Sequence, residues 1–265
     1  MHYFNYKNNE MYCEEFPLAT IAAEVGTPVY VYSHATLERH FTAFDRAFDG
    51  VDRMICFSVK SCSNIALLRL FASLGGGADI ISGGELYRAL KAGIPSQRIV
   101  YSGPGKTAKE IRAALEADIL IFNIESPQEL NLINQIAREM GTKARISIRV
   151  NPDVDPKTHP YISTGLKENK FGISYDQAEE VYLKASGLPG IQVIGVSCHI
   201  GSQMIDTGPI RDSVARLIKL LDRLKGHGLE LTRLDLGGGL GISYDSEEPP
   251  EPYEYAEAIK EALDG

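Results

Sequence analysis

The sequence predicts an α/β protein built as a (β/α)8 barrel, of which this chain holds seven strands. Three observations predict it: short runs rich in Ile and Val alternate with longer helical stretches, the runs are evenly spaced, and no strand reversal is evident. Parallel strands joined by crossover helices leave this pattern. Its regularity favours a barrel over a large open doubly wound sheet.

The predicted strands are the seven apolar runs of the chain. They are Met54–Val59, Ala78–Ser82, Ile99–Ser102, Ile119–Ile124, Ala144–Val150, Val193–His199 and Leu231–Leu236. Helical stretches between them include Gly84–Lys91, Pro127–Met140 and Ile210–Lys225. In the last stretch, apolar residues recur every three or four positions with charged residues between them, so one helix face should pack against the sheet.

The two ends of the chain fit the barrel pattern less well. Tyr253–Leu263 predicts a helix, and the eighth strand is expected only after it, so we expect the chain to be part of a longer protein. Pro28–Tyr32 predicts an extended strand with no β-α unit around it. We therefore divide the chain into residues 1–32, whose strand belongs with another domain, and a barrel at residues 33–265.

Composition narrows the class of ligand. The 265 residues carry 27 Lys and Arg against 35 Asp and Glu, and no apolar stretch approaches the roughly 20 residues of a membrane span. An acidic chain without a basic run argues against nucleic acid. The N-terminus has no secretory signal, which predicts a cytoplasmic protein with a small-molecule ligand. The four cysteines contain no C-x-x-C pair, which disfavours disulfides and a structural metal.

Active-site residues of a barrel lie at the carboxyl ends of its strands, and reactive residues follow several of the predicted strands. Lys60 follows the first, where partial burial would make its amine a nucleophile suited to a Schiff base; a lysine that merely reaches solvent is the alternative. His199 ends the sixth and could stack on a planar cofactor as an aromatic cation, or be a structural histidine. Asp79 and Arg149 are charged residues in apolar surroundings, which need partners or tune a site.

Two glycine-rich segments have different prospects. Gly237–Gly239 follows the seventh strand, where three glycines allow backbone N–H groups to approach a phosphate, although a tight turn would also use glycine. Gly103–Thr107 looks like the end of a nucleotide-binding P-loop. That pattern requires glycine where Val100 stands, so we reject nucleotide binding there.

The order and spacing of four segments resemble the fold-type III pyridoxal-phosphate decarboxylases, which have the alanine racemase-like barrel. These segments are Phe57–Lys60, Gly77–Leu86, Cys198–Gln203 and Leu234–Gly239. Within that superfamily, Arg149–Pro152 and Ile162–Gly172 resemble the diaminopimelate decarboxylase family rather than ornithine or arginine decarboxylases.

The resemblance implies a role for each candidate residue. Lys60 would hold pyridoxal 5'-phosphate as a Schiff base, and His199 would stack on its ring as a second catalytic residue. The phosphate would be bound by Ser202, Gly237, Gly238 and Gly239. Asp79 and Arg149 would lie close to the cofactor.

The resemblance also implies an activity and a partner. The activity is decarboxylation of meso-2,6-diaminopimelate to L-lysine and CO2, the last step of lysine biosynthesis, by a homodimer whose site is shared across the interface. An eighth strand and a C-terminal β-domain are expected beyond this chain, which alone should be a poor or inactive catalyst. A non-catalytic pyridoxal-phosphate-binding barrel, or a decarboxylase for carboxynorspermidine, ornithine or arginine, are the alternatives.

Overall fold

The structure is a computed structural model that describes residues 2–155 and 171–264. The chain begins with a small antiparallel sheet of three strands in sequence order: β1 (Phe4–Lys7), β2 (Glu10–Cys13) and β3 (Phe16–Pro17). Asn8 and Asn9 join the first two with positive φ angles of 51° and 63°. A two-residue hairpin turn requires this conformation, and Asn tolerates it. This sheet was not predicted from the sequence.

The remaining strands and helices alternate along the chain. The strands are β4 (Cys56–Ser58), β5 (Gly77–Ile80), β6 (Ile99–Tyr101), β7 (Ile121–Ile124), β8 (Ala144–Asn151), β9 (Ile173–Ser174), β10 (Ile191–Ser197) and β11 (Arg233–Asp235). The helices are α1 (Leu18–Val25), α2 (His34–Ala47), α3 (Ile65–Ser73), α4 (Gly83–Lys91), α5 (Ala108–Glu116), α6 (Pro127–Glu139), α7 (Tyr175–Ser186), α8 (Gly208–Gly226) and α9 (Pro252–Asp264).

Seven parallel strands of the described chain form one sheet in the order β11-β10-β8-β7-β6-β5-β4, with the short β9 beside β8. Each of the seven predicted runs supplies one of these strands, so the prediction is confirmed. Neighbours along the chain are neighbours in the sheet, as right-handed crossover connections in a barrel require. Within the described residues, no strand lies between β11 and β4.

The sheet is strongly curled. Asn123 on β7 donates a hydrogen bond of 2.8 Å to Asp235 on β11, although two strands separate β7 from β11. In a flat sheet three strand spacings of about 4.8 Å would hold these strands roughly 14 Å apart. The contact therefore requires the curvature of a barrel and excludes an open doubly wound sheet.

The helices that follow the barrel strands cover the outside of the sheet, as the amphipathic pattern predicted, whereas α1 packs on the N-terminal sheet. Ile and Leu side chains of the strands and helices form the main core, and α8 and α9 meet in a second cluster around Ile210 and Tyr255. The ring of Tyr255 on α9 lies 6.1 Å from that of Phe44 on α2. The helix that precedes the first barrel strand thus contacts the last helix of the chain.

Three successive helices begin with the same local device. Each has a Ser or Thr N-cap and a Glu three residues later: Ser82 and Glu85, Thr107 and Glu110, Ser126 and Glu129. The hydroxyl accepts a backbone N–H of the first turn, and the carboxylate accepts one at or before the cap. These caps fix the point where each chain segment leaves the carboxyl end of its strand.

No strand forms at residues 28–32, where the sequence predicts an extended strand that belongs with another domain. Residues 28–32 pair with no strand in the described parts of the chain. No helix among the described residues has the length and apolar character needed to cross a membrane.

Candidate active site

Lys60 lies at the carboxyl end of the first barrel strand, as predicted. It belongs to a one-turn 3-10 helix, Val59–Ser61, which leads the chain out of the sheet immediately after β4. Val59 is fully buried, whereas Lys60 is exposed. The burial expected from its strand-end position is therefore not found, because the turn directs the lysine out of the core. Its amine is accessible to a ligand at the barrel mouth, the edge of the sheet where the carboxyl ends of the barrel strands meet.

Asp79 on β5 is half-buried and has the partners that its apolar surroundings required. Its carboxylate accepts hydrogen bonds from Ser102 Oγ at 2.5 Å and Ser58 Oγ at 3.4 Å. Burial raises the pKa of Asp79 to about 6, while Ser102 and the nearby ammonium of Lys60 oppose that rise. The carboxyl group of Asp79, beside the exposed lysine, therefore gains or loses its proton close to neutral pH.

Arg149 on β8 also has a partner, and sequence reasoning missed it. Its guanidinium donates to the buried carboxylate of Glu125 at 2.8 Å and lies 5.3 Å from the ring of Phe171. The second Glu125 oxygen accepts the N–H of Gly172 at 3.0 Å. The available signal was the position of Glu125, directly after the fourth predicted strand. Glu125 fixes Arg149 at the same edge of the sheet as Lys60.

His199 follows β10 at this edge and is half-buried. Burial first, and then the positive charges of Arg149 and Lys60, together lower the pKa of His199 to about 4. The ring is therefore neutral at pH 7, and the expectation of an aromatic cation is wrong. A cation was expected from the residue type alone, whereas two neighbouring cations and burial disfavour the charged ring here.

Replacing His199 with Asn should make folding stability less sensitive to acid in the cofactor-free protein. The unfolded chain binds the imidazole proton at about pH 6.5, whereas the folded protein binds it at about 4. Stability is therefore lost as the pH falls from 6.5 toward 4, by up to about 1.4 kcal/mol per pH unit. Urea unfolding at pH 7 and pH 5 should show a smaller loss in the variant.

Asp79 works in the opposite direction, because its raised pKa adds stability as the pH falls below about 6. It is present in both proteins, so it cancels from the comparison. An equal loss of stability in wild type and His199→Asn between the two pH values would contradict the assignment of a neutral, buried imidazole.

The glycine loop, Gly237–Gly239, follows β11 and lies against the loop after β10. Gly237 and Gly239 have positive φ angles of 69° and 113°. A Cβ on Gly237 would lie 2.8 Å from His199 Nδ1, and one on Gly239 would collide with the carbonyl oxygen of Gly201. A Cβ on Gly238 would meet no atom within 4 Å. Two of the glycines are required by the packing, and the middle one faces open space.

Backbone hydrogen bonds hold the two loops together. Met204 N–H donates to the Gly239 carbonyl at 2.8 Å, and Gly241 N–H donates to the Met204 carbonyl at 2.9 Å. Ser202 is exposed within the loop after β10. It lies between Gly201 and Met204, which both contact Gly239, so its hydroxyl is near the glycine loop. A hydroxyl beside a glycine-rich loop suits a phosphate group.

Gly239→Ala should destabilise the cofactor-free protein by about 1–3 kcal/mol, because it combines a strained φ with a backbone collision. Gly238→Ala is the matched control and should change stability by no more than about 0.5 kcal/mol. Urea unfolding of both variants tests this. Equal losses would show that the two loops do not pack as described.

Lys106, which belongs to the rejected P-loop resemblance Gly103–Thr107, is buried. Its ammonium donates to Glu129 at 2.6 Å, to the Gly103 carbonyl at 2.7 Å and to the Asn123 carbonyl at 2.8 Å. Protein acceptors thus receive three hydrogen bonds, which is the full capacity of an ammonium group. Lys106 is a structural residue that joins the loops after β6 and β7.

The four cysteines of the sequence all lie within the described residues. All four are free thiols, and Cys198 is buried in the core beside the site. Burial raises the pKa of the Cys198 thiol to about 12, so it is not a nucleophile at neutral pH. The described residues contain no cluster of His, Cys, Asp and Glu suited to a metal ion.

Comparison with known proteins agrees with this geometry. Residues 34–265 match the model of a family described as pyridoxal-dependent decarboxylase, pyridoxal binding domain. The chain is 56% identical over 263 residues to diaminopimelate decarboxylase of Haemophilus influenzae, covering 99% of this chain and 63% of that protein. It is 50% identical over 265 residues to that of Vibrio cholerae, covering the whole chain and 64% of the relative.

Solved structures give the same match. The crystal structure of diaminopimelate decarboxylase from Helicobacter pylori complexed with L-lysine is similar with a TM-score of 0.90 and 45% identity. The match covers 94% of this chain and 63% of that one. The chain thus spans slightly less than two thirds of the length of these relatives.

Proposed function

The chain belongs to the pyridoxal-dependent decarboxylase family, through its pyridoxal-binding domain, and from this membership we propose that the protein carrying it is a diaminopimelate decarboxylase. It would convert meso-2,6-diaminopimelate to L-lysine and CO2. The observation that carries the proposal is identity of 50–56% to diaminopimelate decarboxylases over almost the entire chain. The similar Helicobacter pylori structure, which holds L-lysine, supports the same substrate class.

The residues at the barrel mouth fit the family's cofactor, pyridoxal 5'-phosphate. Lys60 offers an exposed primary amine, the group that bonds covalently to an aldehyde. Ser202 offers an exposed hydroxyl for the phosphate, and the glycine loop offers a main chain that no side chain obstructs at Gly238. The N–H groups of Gly237 and Gly238 donate within the protein, to Asp235 and to His199 Nδ1. The flat, neutral ring of His199 would lie against the pyridine ring.

When bound, the cofactor supplies an electron sink for the pair released as CO2 leaves. The chain supplies orientation and charge. Arg149, fixed by its ion pair with Glu125, holds a guanidinium near His199, where its charge helps to keep that ring neutral. Asp79, with a pKa near 6, is able to hold or release a proton at its carboxylate beside Lys60.

The assembly and location of the protein are part of the proposal. We expect a homodimer with a site shared between subunits, in the cytoplasm, with a β-domain that packs against residues 28–32. The exposed aromatic rings of Tyr30 and Tyr32, 89% and 49% accessible, support a covering partner for this segment. The Ile162–Gly172 resemblance, which favours diaminopimelate, lies outside the described residues except for Phe171 and Gly172.

The proposal is tested by CO2 release from the full-length protein carrying this chain, supplied with pyridoxal phosphate. We expect turnover of meso-diaminopimelate and far slower turnover of ornithine, arginine and carboxynorspermidine. Faster turnover of one of these competitors would overturn the substrate. Binding of the cofactor without release of CO2 from any of the four would indicate a non-catalytic barrel.

A further inference from the structure

Hydrogen-bonding side chains from all seven barrel strands meet inside the barrel. This barrel network consists of Ser58 (β4), Asp79 (β5), Ser102 (directly after β6), Asn123 (β7), Ser147 (β8), Ser197 (β10) and Asp235 (β11). Three members, Asn123, Ser147 and Ser197, are almost fully buried, at 4%, 1% and 2% accessible. A buried polar network is stable only when each of its polar groups has a hydrogen-bond partner. The pattern of hydrogen bonds therefore fixes how these side chains are arranged.

Asn123 is the branch point of the barrel network. Its side-chain Nδ2 donates to Ser102 Oγ at 3.0 Å and to Asp235 Oδ2 at 2.8 Å. Its Oδ1 accepts from the hydroxyl of Ser147. Both N–H groups and the carbonyl of the amide are therefore used.

The partners of Asn123 require this residue type. Ser102 gives its single hydroxyl proton to Asp79, so it can only accept from Asn123. The carboxylate of Asp235 also only accepts. Both positions therefore need a donor, and of the side chains of this size only an amide offers two N–H groups together with an acceptor.

The two arms of the amide reach two different parts of the mouth. One arm, through Ser102, ends on Asp79, whose neighbour is Lys60. The other ends on Asp235, whose Oδ1 accepts the N–H of Gly237 at 2.8 Å, at the start of the glycine loop. A continuous path of hydrogen bonds thus joins the carboxylate beside the lysine to the loop.

We propose that Asn123 is a positioning residue that, through Ser102 and Asp235, holds the Asp79 carboxylate and the Gly237 amide in one arrangement for the cofactor. The inference rests on the proposed function, since it assigns the glycine loop to the phosphate. Asn123 lies below the mouth and touches no phosphate itself. Even so, a substitution of Asn123 should weaken recognition of the phosphate, because it disturbs the glycine loop.

The test uses Asn123→Asp, which keeps the size of the side chain but replaces its NH2 group with a carboxylate oxygen. The two hydrogen bonds that Asn123 donates to Ser102 and Asp235 are then lost, because that oxygen can only accept. The full-length protein is titrated with pyridoxal phosphate and with pyridoxal, which lacks the phosphate, and the ratio of affinities is measured. We expect the ratio to fall roughly tenfold, the effect of one lost hydrogen bond to a charged group. Amide hydrogen exchange at Gly237 should also be faster in the variant.

Two further variants keep the test decisive. Asn123→Ser is smaller and uncharged, and it should show the same loss of phosphate preference if the aspartate variant folds poorly. Ser213→Ala is the control, since Ser213 is fully buried and its hydroxyl donates only to the Pro209 carbonyl of its own helix. It should leave the affinity ratio and Gly237 exchange unchanged.

The possible outcomes separate the inference from the function. A lower melting temperature with an unchanged affinity ratio and unchanged Gly237 exchange would make Asn123 merely structural and overturn the inference. Wild-type protein that binds pyridoxal phosphate no better than pyridoxal would overturn the proposed phosphate site. In that case Gly237 exchange, which needs no cofactor, still decides whether Asn123 holds the loop.

Discussion

Lys60→Ala is expected to lose covalently held pyridoxal phosphate and to reduce decarboxylation on the order of 10³-fold or more. Lys60 is the exposed amine at the end of the first barrel strand, beside Asp79, and the buried Lys106 is committed to Glu129. Alanine supplies no amine at this position. Absorbance of the bound cofactor and CO2 release from meso-diaminopimelate measure both losses in the full-length protein.

Two control variants define what is lost. Lys60→Arg keeps the positive charge, yet a guanidinium stays protonated and is not a nucleophile, so it should be as inactive as the alanine variant. Lys109→Ala removes an exposed lysine from α5 and should leave activity unchanged. Substantial activity in Lys60→Arg would show that charge, rather than the amine, is what the position supplies.

Lys106→Met is expected to destabilise the protein by about 3–5 kcal/mol, the cost of leaving one charge of a buried pair without its partner. The partner is Glu129, and the side chains of Lys106 and Glu129 are 0% and 8% accessible. The ammonium donates hydrogen bonds to three acceptors. Burial opposes both charges, since it lowers the pKa of Lys106 and raises the pKa of Glu129. Urea unfolding measures the change.

Two further variants serve as controls: one that also removes the charge of Glu129, and one that breaks an ion pair on the surface. Adding Glu129→Gln to Lys106→Met removes the orphaned charge and should recover at least about 1 kcal/mol. Lys7→Met breaks an ion pair with Glu15 of 2.8 Å that is exposed to solvent, and should cost less than about 1 kcal/mol. Similar losses for Lys106→Met and Lys7→Met would contradict a buried role for Lys106.

The barrel could be predicted because its strands are buried on both faces. Runs such as Ile121–Ile124 lie between the barrel interior and the helices, so they are apolar except for Asn123 and stand out in sequence. The N-terminal sheet could not be found this way. Its first strand, Phe4–Lys7, is largely exposed and polar, and only the Asn8-Asn9 pair indicated a turn.

The site residues that could be predicted are those whose place in the site follows from their position along a single strand. Lys60 and His199 were expected at strand ends because that edge of a barrel collects functional residues. The neutral state of His199 depends first on its burial and then on Arg149, which is distant in sequence. The branching role of Asn123 depends on Asp235, 112 residues away, and on the curl of the sheet. Contacts across a barrel have no periodic signature in sequence.

The position of the cofactor amine is the centre of this account. Full-length protein carrying this chain, loaded with pyridoxal phosphate, is reduced with borohydride, digested and examined by peptide mass analysis. We predict that the reduced pyridoxyl-phosphate adduct is found on Lys60 and is absent from Lys60→Ala. An adduct on another lysine of the wild-type protein, or none under conditions that support CO2 release, would contradict the account.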